Sequence, residues 1–141
     1  MNMQRMIPAS LVAVVIVSGC STPPPTGPAA WQGTWHGVEV TPGHEGTATL
    51  SISGQNIEFH GADANDWVKG TFMLREDVHP NQCVATVTEC ASPDYVGDKC
   101  YSIYKLADGA LTITGNSPGD SNIPATFEAS GSREFVFKRD H

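Results

Sequence analysis

Residues 47–60, TATLSISGQNIEFH, decide the fold class of this chain. Apolar and polar side chains alternate along this stretch, so that Ala48, Leu50 and Ile52 lie on one face of an extended segment. A period of two is typical of an antiparallel strand that buries one face and exposes the other. Gly54 interrupts the alternation at a point where the chain can turn back on itself. The stretch therefore predicts a β-hairpin with one apolar face.

Strand-like runs recur between turn signals along residues 31–141, with clean alternation in several of them, and no segment has a 3.6-residue period of helical length. We expect an all-β domain of eight antiparallel strands in up-and-down order. Such a meander closes well into a barrel, because closure leaves no exposed edge strand. A β-sandwich is the structural alternative. The expected strands are 34–41, 47–53, 56–60, 67–74, 83–90, 99–106, 110–115 and 133–139.

The interior of an eight-stranded barrel is just wide enough to be filled by side chains or to hold one small ligand. The expected strands are short and make a shallow barrel, so the sequence favours a filled interior over a cavity. The side chains expected to point inward, which either fill the barrel or line a ligand cavity, are Ala48, Leu50, Ile52, Ile57, Phe59, Phe72, Leu111, Ile113, Phe135 and Phe137.

The composition is acidic and rich in turn-forming residues. Eight Lys and Arg against fifteen Asp and Glu give a net charge of −7 over 141 residues. A groove for nucleic acid needs a basic face, so we expect no nucleic-acid partner. Charged residues make up 16% of the chain, which also has fourteen Gly and ten Pro. This composition fits short strands and turns better than a helical bundle.

The first twenty residues have the pattern of a secretory signal, in which the charged residue Arg5 precedes the apolar run 11–17. The run is too short to span a bilayer, which takes about 20 apolar residues. Val17-Ser18-Gly19-Cys20 resembles the lipobox of bacterial lipoproteins, in which the cysteine sulfur receives a diacylglycerol before cleavage. The resemblance implies that Cys20 anchors the protein in a lipid bilayer. A plain signal peptide with a chance cysteine is the alternative.

The lipobox resemblance also divides the chain. It implies a lipoprotein signal peptide at 1–19, and a lipidated Cys20 with a proline-rich tether at 20–30. The barrel domain is then 31–141. Proline-rich chain extends by about 3.1 Å per residue, so the tether would hold the domain about 30 Å from the bilayer. The residue after the cysteine is Ser21 rather than Asp, which by the sorting rule of Gram-negative lipoproteins implies the outer membrane, facing the periplasm.

Both ends of the domain carry a further resemblance. Gly33 and Trp35 in the first strand, with Arg139 late in the last, resemble the signature of lipocalins and related calycin barrels. In that family the indole closes the bottom of the barrel and a guanidinium lies over it in a cation–π contact. The resemblance implies that Trp35 and Arg139 form this contact, with Arg133 as the less favoured partner.

More of the chain is similar to a group of uncharacterised bacterial lipocalin-like domains that lipoproteins often carry. The matching segments begin at Gln32-Gly33-Thr34-Trp35 and continue through 103–106, Asp108-Gly109, 111–113 and 123–127. Ile123 stands where that group has an arginine, so any role of the arginine is missing here. The resemblance implies a fold and no activity, because one fold hosts many functions.

Three cysteines remain in the domain after Cys20. A hairpin of strands 83–90 and 99–106 would place Cys90 opposite Cys100, so we expect a disulfide between them and a free, buried thiol at Cys83. A zinc site is the alternative. The spacing of six and nine residues between these cysteines lacks the close pairs of typical zinc sites, although His79 lies nearby in sequence.

No catalytic motif emerges from the sequence. The segment 63–66 reads as a solvated acidic turn that lacks the length and glycine of a calcium loop. We expect no metal and no cofactor, and we expect the histidines on the solvated surface. They are His36, His44, His60, His79 and His141.

The sequence thus favours a membrane-anchored envelope lipoprotein that acts as a non-catalytic binding module, not an enzyme. It would hold a small hydrophobic ligand inside the barrel or present its loops to an envelope protein. The alternative function is inhibition of an exported protease, with 21–30 as an inhibitory arm, although a lipid at Cys20 would restrict that arm. An enzyme that uses one of the histidines is the third hypothesis.

Overall fold

The computed structural model describes residues 26–128 and 131–139. The expected signal peptide, Cys20, residues 21–25 of the tether and His141 lie outside the described residues.

The domain is all-β and forms one closed barrel of eight antiparallel strands. Each strand pairs with its neighbours in sequence, and β1 closes the barrel by pairing with β8. This confirms the predicted up-and-down barrel over the sandwich, and the predicted strand ends are within two residues of those observed. The strands are β1 (Gly33–Glu39), β2 (Gly46–Ser53), β3 (Asn56–His60), β4 (Trp67–Arg75), β5 (Asn81–Cys90), β6 (Lys99–Ala107), β7 (Ala110–Gly115) and β8 (Arg133–Arg139).

The apolar faces of the strands meet inside the barrel, because side chains alternate between the two faces of a strand. All ten side chains predicted to point inward belong to the core. Seven of them are buried and three, at Ile57, Phe59 and Ile113, are partly buried against the others. The core also contains residues that the pattern did not select, which are Ala30, Trp31, Trp35, Leu74, Cys83, Ala85 and Tyr104.

The barrel has two unlike ends. At the closed end lie the β2–β3, β4–β5 and β6–β7 turns, and a 3-10 helix at Gly27–Trp31 packs across it. The side-chain amide of Gln32, next to this helix, donates to the Gly54 carbonyl over 2.9 Å, while the Gly54 N–H donates to the Gln32 side-chain oxygen over 2.8 Å. Residues 27–30, predicted as tether, are therefore part of the folded domain.

The open end is formed by the connections 40–45, 61–66 and 91–98 and by the described residues between β7 and β8, which are 116–128 and 131–132. Residues 116–128 fold back along the outside of the barrel. There the Thr114 hydroxyl donates to the Phe127 carbonyl over 3.2 Å, and the Lys105 ammonium lies 4.8 Å from the Phe127 ring. Ile103, the cross-strand neighbour of Thr114, is fully buried on the same outer face.

Two inward-facing glycines allow neighbouring strands to approach closely. A Cβ at Gly37 would overlap the carbonyl oxygen of Val136 in β8, and a Cβ at Gly70 would overlap that of Thr86 in β5. The register between β4 and β5 shifts between Lys69 and Gly70, which is typical of a β-bulge. Neither glycine contributes a side chain to the interior of the barrel.

Candidate ligand cavity

A cavity of about 280 Å³ occupies the open half of the barrel. Its floor is the indole of Trp31, and its mouth lies among the loops of the open end, with Asp66, Tyr95 and Arg133 at its border. Six of the ten predicted inward residues line it, which are Leu50, Ile57, Phe59, Ile113, Phe135 and Phe137. The other four, Ala48, Ile52, Phe72 and Leu111, pack in the core outside the cavity lining. The structure therefore combines both sequence alternatives, because the barrel is filled at one end and hollow at the other.

The size of the inward side chains explains where the cavity lies. The closed half holds large rings from Trp31, Trp35, Phe72 and Tyr104. The lining of the open half includes small residues on four consecutive strands, which are Gly70, Cys83, Ala85, Cys100, Ser102 and Gly115. An eight-stranded barrel is filled only if its inward residues are large enough. Small residues on adjacent strands leave the open half hollow.

Trp31 separates the two halves. Its ring stacks on Phe72 at a centroid distance of 5.5 Å and meets Tyr104 edge-on at 4.9 Å. Its carbonyl accepts a hydrogen bond of 2.8 Å from the Trp35 indole nitrogen. The side chain is 1% exposed. Trp31 was not predicted to have a role, because this residue precedes the first strand and lies outside the strand alternation.

The contact predicted by the lipocalin-like signature is present at the closed end. The Arg139 guanidinium lies 4.5 Å from the Trp35 ring centroid and donates a hydrogen bond to the Ala30 carbonyl. Gly33, the other motif residue, has a φ of +111°, which L side chains rarely adopt. Arg133, the less favoured partner, lies at the opposite end of the barrel and makes other contacts.

Arg133 forms a charged cluster with Glu39 and Asp66 at the mouth of the cavity. Its Nε and Nη2 donate to the Glu39 carboxylate over 2.9 and 2.7 Å. Its Nη1 and Nη2 donate to the Asp66 carboxylate over 3.0 and 2.7 Å. The guanidinium also lies 5.0 Å from the Phe135 ring and 5.8 Å from the Phe59 ring. We call these three charged residues the mouth cluster.

The mouth cluster carries one positive and two negative charges. The Glu39 side chain is only 7% exposed, whereas Asp66 is 29% and Arg133 is 42% exposed. The hydrogen bonds from Arg133 hold the pKa of Glu39 below its ordinary value, although burial acts in the opposite direction. The same hydrogen bonds, with those from Arg133 to Asp66, raise the pKa of Arg133. The cluster therefore holds a net negative charge next to an apolar cavity.

The mouth cluster was not predicted from the sequence, although the sequence contains one signal for it. Glu39 continues the inward positions of β1 after Trp35, and Arg133 precedes the inward positions of β8 at Phe135 and Phe137. Opposite charges at inward positions of two paired strands indicate a buried ion pair. Asp66, which the sequence interpretation placed in a solvated turn, is held over the mouth by this pair.

All three domain cysteines border the cavity as free thiols, and no disulfide joins them. The predicted Cys90–Cys100 disulfide is therefore not present, and the register on which it depended is wrong. Cys100 pairs with Ala85 of β5, whereas Cys90 lies beyond the β5–β6 pairing and is opposite Val68 of β4. Cys83 is a free, buried thiol, as predicted.

The chemistry of the thiols follows from their burial. Burial raises the pKa of Cys83 to about 12 and that of Cys100 to about 11. A cysteine reacts as its thiolate, so these two groups are poor nucleophiles at neutral pH. The Cys90 thiol donates a hydrogen bond of 2.8 Å to the Ser92 carbonyl. The cavity wall is thus polarisable and weakly polar.

The four histidines within the described residues, at positions 36, 44, 60 and 79, lie outside the cavity lining. His60 is exposed and forms a 2.6 Å hydrogen bond to the Glu58 carboxylate, and His79 precedes a cis proline in the β4–β5 turn at the closed end. Among residues 26–128 and 131–139, no group of three His, Cys, Asp or Glu side chains could hold a metal ion. Within the same ranges, no helix is long and apolar enough to cross a membrane.

Comparisons of this chain with family models, with curated proteins and with solved structures found no match. The lipocalin-like assignment therefore stays a resemblance that depends on the motif residues. The closed eight-stranded barrel and its cavity stand on the structure alone.

Proposed function

We propose that this protein is a membrane-anchored envelope lipoprotein whose barrel binds one small apolar molecule without transforming it. The observation that carries the proposal is the cavity of about 280 Å³ between Trp31 and the mouth cluster. Ligand sites are concave and mostly apolar, with a few polar groups that fix the orientation of the ligand. This cavity has an aromatic floor, aliphatic and thiol walls, and one hydrogen-bonded charged group at its mouth. It has the character of a ligand site.

The size of the cavity supports a small ligand. Ligand cavities in proteins usually have volumes of about 300–1,000 Å³, so about 280 Å³ lies at the lower limit. A non-catalytic role is supported by the two wall thiols with raised pKa values, and by the guanidinium of Arg133, which two carboxylates already engage. The neighbouring side chains are suited to holding an apolar molecule.

The point where the tether joins the barrel predicts which end of the barrel would face the bilayer. Thr26 lies six positions after Cys20, and a fully extended chain spans at most about 3.6 Å per residue, or roughly 20 Å here. The 3-10 helix Gly27–Trp31 packs on the closed end. A lipid at Cys20 would hold the closed end towards the bilayer and turn the mouth of the cavity away from it. The protein would then exchange its ligand with the periplasm or with an envelope partner.

The alternative of a protease inhibitor receives less support. Its inhibitory arm would be residues 21–30, but Pro28 accepts a hydrogen bond of 2.8 Å from Gln32, and Ala30 is buried in the core. A segment that packs in this way has little freedom to enter the active site of another protein. The cavity, by contrast, requires no rearrangement to accept a ligand.

Binding is tested with octan-2-one, a small neutral probe, added to the full-length chain carrying Cys20→Ala. Binding is measured by isothermal titration calorimetry and by the change in tryptophan fluorescence, since Trp31 and Trp67 both line the cavity. Ala85→Met fills the cavity wall and should weaken binding by at least about tenfold. The matched control is Val84→Met, the adjacent residue of the same strand on the outer face, which should bind like the parent chain.

Two outcomes would reject the binding proposal. One is that the parent chain binds no octan-2-one at millimolar concentration. The other is that Ala85→Met and Val84→Met bind it equally well, because binding would then not take place in the cavity.

The anchor is tested separately in living bacteria. We expect labelled palmitate to be incorporated into the protein and to be lost on Cys20→Ala. Globomycin, which blocks the lipoprotein signal peptidase, should cause the precursor with residues 1–19 to accumulate. Palmitate incorporation that persists in Cys20→Ala would reject Cys20 as the anchor.

A further inference from the structure

The mouth cluster limits the kind of ligand that the proposed cavity can accept. A guanidinium has five N–H groups. In Arg133 four of them already donate to carboxylate oxygens, two to Glu39 and two to Asp66. One N–H of Nη1 is left for a ligand. Arg133 therefore cannot offer an incoming carboxylate the two parallel hydrogen bonds that usually fix such a group.

The charges at the mouth also disfavour a carboxylate ligand. An incoming carboxylate would meet two carboxylates and one guanidinium, so it would bring a third negative charge to a cluster that already carries a net negative charge. To form two hydrogen bonds with Arg133, the incoming carboxylate would have to displace Asp66 or Glu39. Displacement of Glu39 would leave a carboxylate with a side chain that is 7% exposed without its partner, which is costly.

A neutral acceptor meets none of these costs. A ketone, ester or alcohol oxygen can accept the remaining N–H of Arg133 without a change in the charge of the cluster. Its apolar chain then extends down the cavity over Phe59 and Phe135 towards the Trp31 floor. The ion pairs of the cluster stay as they are in the structure.

We infer that the cavity takes an apolar molecule that ends in an uncharged hydrogen-bond acceptor, and that the mouth cluster excludes fatty-acid-type carboxylates. This inference rests on the proposed function, because it assumes that the cavity binds a ligand.

The test compares octan-2-one with octanoate, which have the same number of carbons, at pH 7.5 on the chain carrying Cys20→Ala. The ketone should bind at least about tenfold more tightly, because octanoate has to bring its charge to a negative mouth. Equal or tighter binding of octanoate would overturn the inference and leave the binding proposal intact. Binding of neither probe would instead reject the binding proposal.

A second pair of variants tests whether the mouth cluster causes the preference for the ketone over octanoate. Asp66→Asn removes one negative charge from the mouth, and Glu134→Gln removes one from the neighbouring, outward-facing position of β8. Asp66→Asn should reduce the preference for the ketone by at least about threefold, because octanoate then meets one negative charge fewer at the mouth. Glu134→Gln should leave the preference unchanged. An unchanged preference in Asp66→Asn, or an equal reduction in both variants, would overturn the role of the cluster.

Discussion

The closed and open ends of this barrel are built from the same eight strands but differ in what their inward side chains do. At the closed end, the rings of Trp31 and Trp35 fill the space and Arg139 lies over the Trp35 ring. At the open end, small wall residues leave a cavity of about 280 Å³, and the mouth cluster lies beside its opening. The alternation of strands fixes which residues point inward, whereas the volume and charge of those residues decide whether the barrel is filled.

The comparison leads to different expectations for the two ends. A substitution at the closed end removes dense packing and should mainly lower the free energy of unfolding. A substitution on the cavity wall has room to be accommodated and should mainly alter ligand binding. The mouth cluster lies between these cases, because its Glu39 is buried but its Arg133 is half-exposed.

The largest effect is expected for Trp31→Ala, because it removes a fully buried indole and joins the cavity to the closed end. The free energy of unfolding should fall by about 3–5 kcal/mol, as measured by urea denaturation. The matched variant Trp67→Ala, at the open end of β4, removes a half-buried indole and should cost clearly less. Equal losses in the two variants would contradict the distinction between the ends.

The second effect is expected for Arg133→Ala, which leaves two carboxylates unpaired at the mouth. Removing one partner of a buried pair costs about 3–5 kcal/mol, and the partial exposure of Arg133 should reduce the loss to about 2–3 kcal/mol at pH 7. The control is Arg75→Ala at the closed end, where the 3.7 Å pair with Asp77 is exposed and should contribute little.

The pH dependence of this variant is also predicted. In the parent chain the folded pKa of Glu39 is lowered, so the ion pair stabilises the fold above the unfolded pKa of Glu39 and is lost as pH falls through the folded value. Without Arg133, burial and the neighbouring carboxylate should raise the pKa of Glu39, so that protonation stabilises the variant. The difference in stability should therefore shrink between pH 7 and pH 4. A constant difference would show that the loss has another origin.

A smaller difference in stability is expected between two positions at which alanine is replaced by methionine. Ala48→Met adds volume to the packed core and should cost about 1–3 kcal/mol. Ala85→Met adds the same volume to the cavity wall and should change the free energy of unfolding by less than about 1 kcal/mol. Thermal and urea unfolding of both variants provide the measurement. The prediction fails if Ala85→Met is as destabilising as Ala48→Met, because the cavity would then not be free to accept the added volume.

The last prediction concerns the reactivity of the three domain thiols and involves no change in stability. The chain carrying Cys20→Ala, denatured without reductant, should titrate three thiols, and a count of one would indicate a disulfide. In the folded protein at pH 8, iodoacetamide should label Cys90 before Cys83 and Cys100, because burial raises the pKa values of the latter two to about 12 and about 11. Peptide mapping by mass spectrometry gives the order.

The sequence was a good guide wherever one strand sufficed to make the prediction. Turn signals and alternation predicted all eight strands and the inward positions on five of them, β2, β3, β4, β7 and β8, and the lipocalin-like signature placed Arg139 over Trp35. It failed where the relation between two strands mattered. Cys90 and Cys100 were expected to be opposite each other, but the β5–β6 ladder ends near Thr86 and Lys99, and a 3-10 turn at Pro93–Tyr95 lies in the connection between these strands.

Trp31 and Asp66 were missed for a related reason. Both lie outside the strands, where no periodicity indicates which way a side chain points. Trp31 enters the barrel because the 3-10 helix folds across the closed end, and Asp66 reaches Arg133 because the β3–β4 loop lies over the mouth. Contacts between residues 67 positions apart in sequence depend on barrel closure and leave no local pattern.

By itself, the sequence determined that this protein is an all-β barrel and, for the strands in which apolar and polar residues alternate cleanly, which face is apolar. It could do so because the side chains of an extended strand point to its two faces in turn. Only the tertiary structure decided that the closed end is filled, that the open end is hollow and that Arg133 lies between Glu39 and Asp66. These features depend on the summed volumes and charges of side chains from all strands and loops, which meet only when the barrel closes.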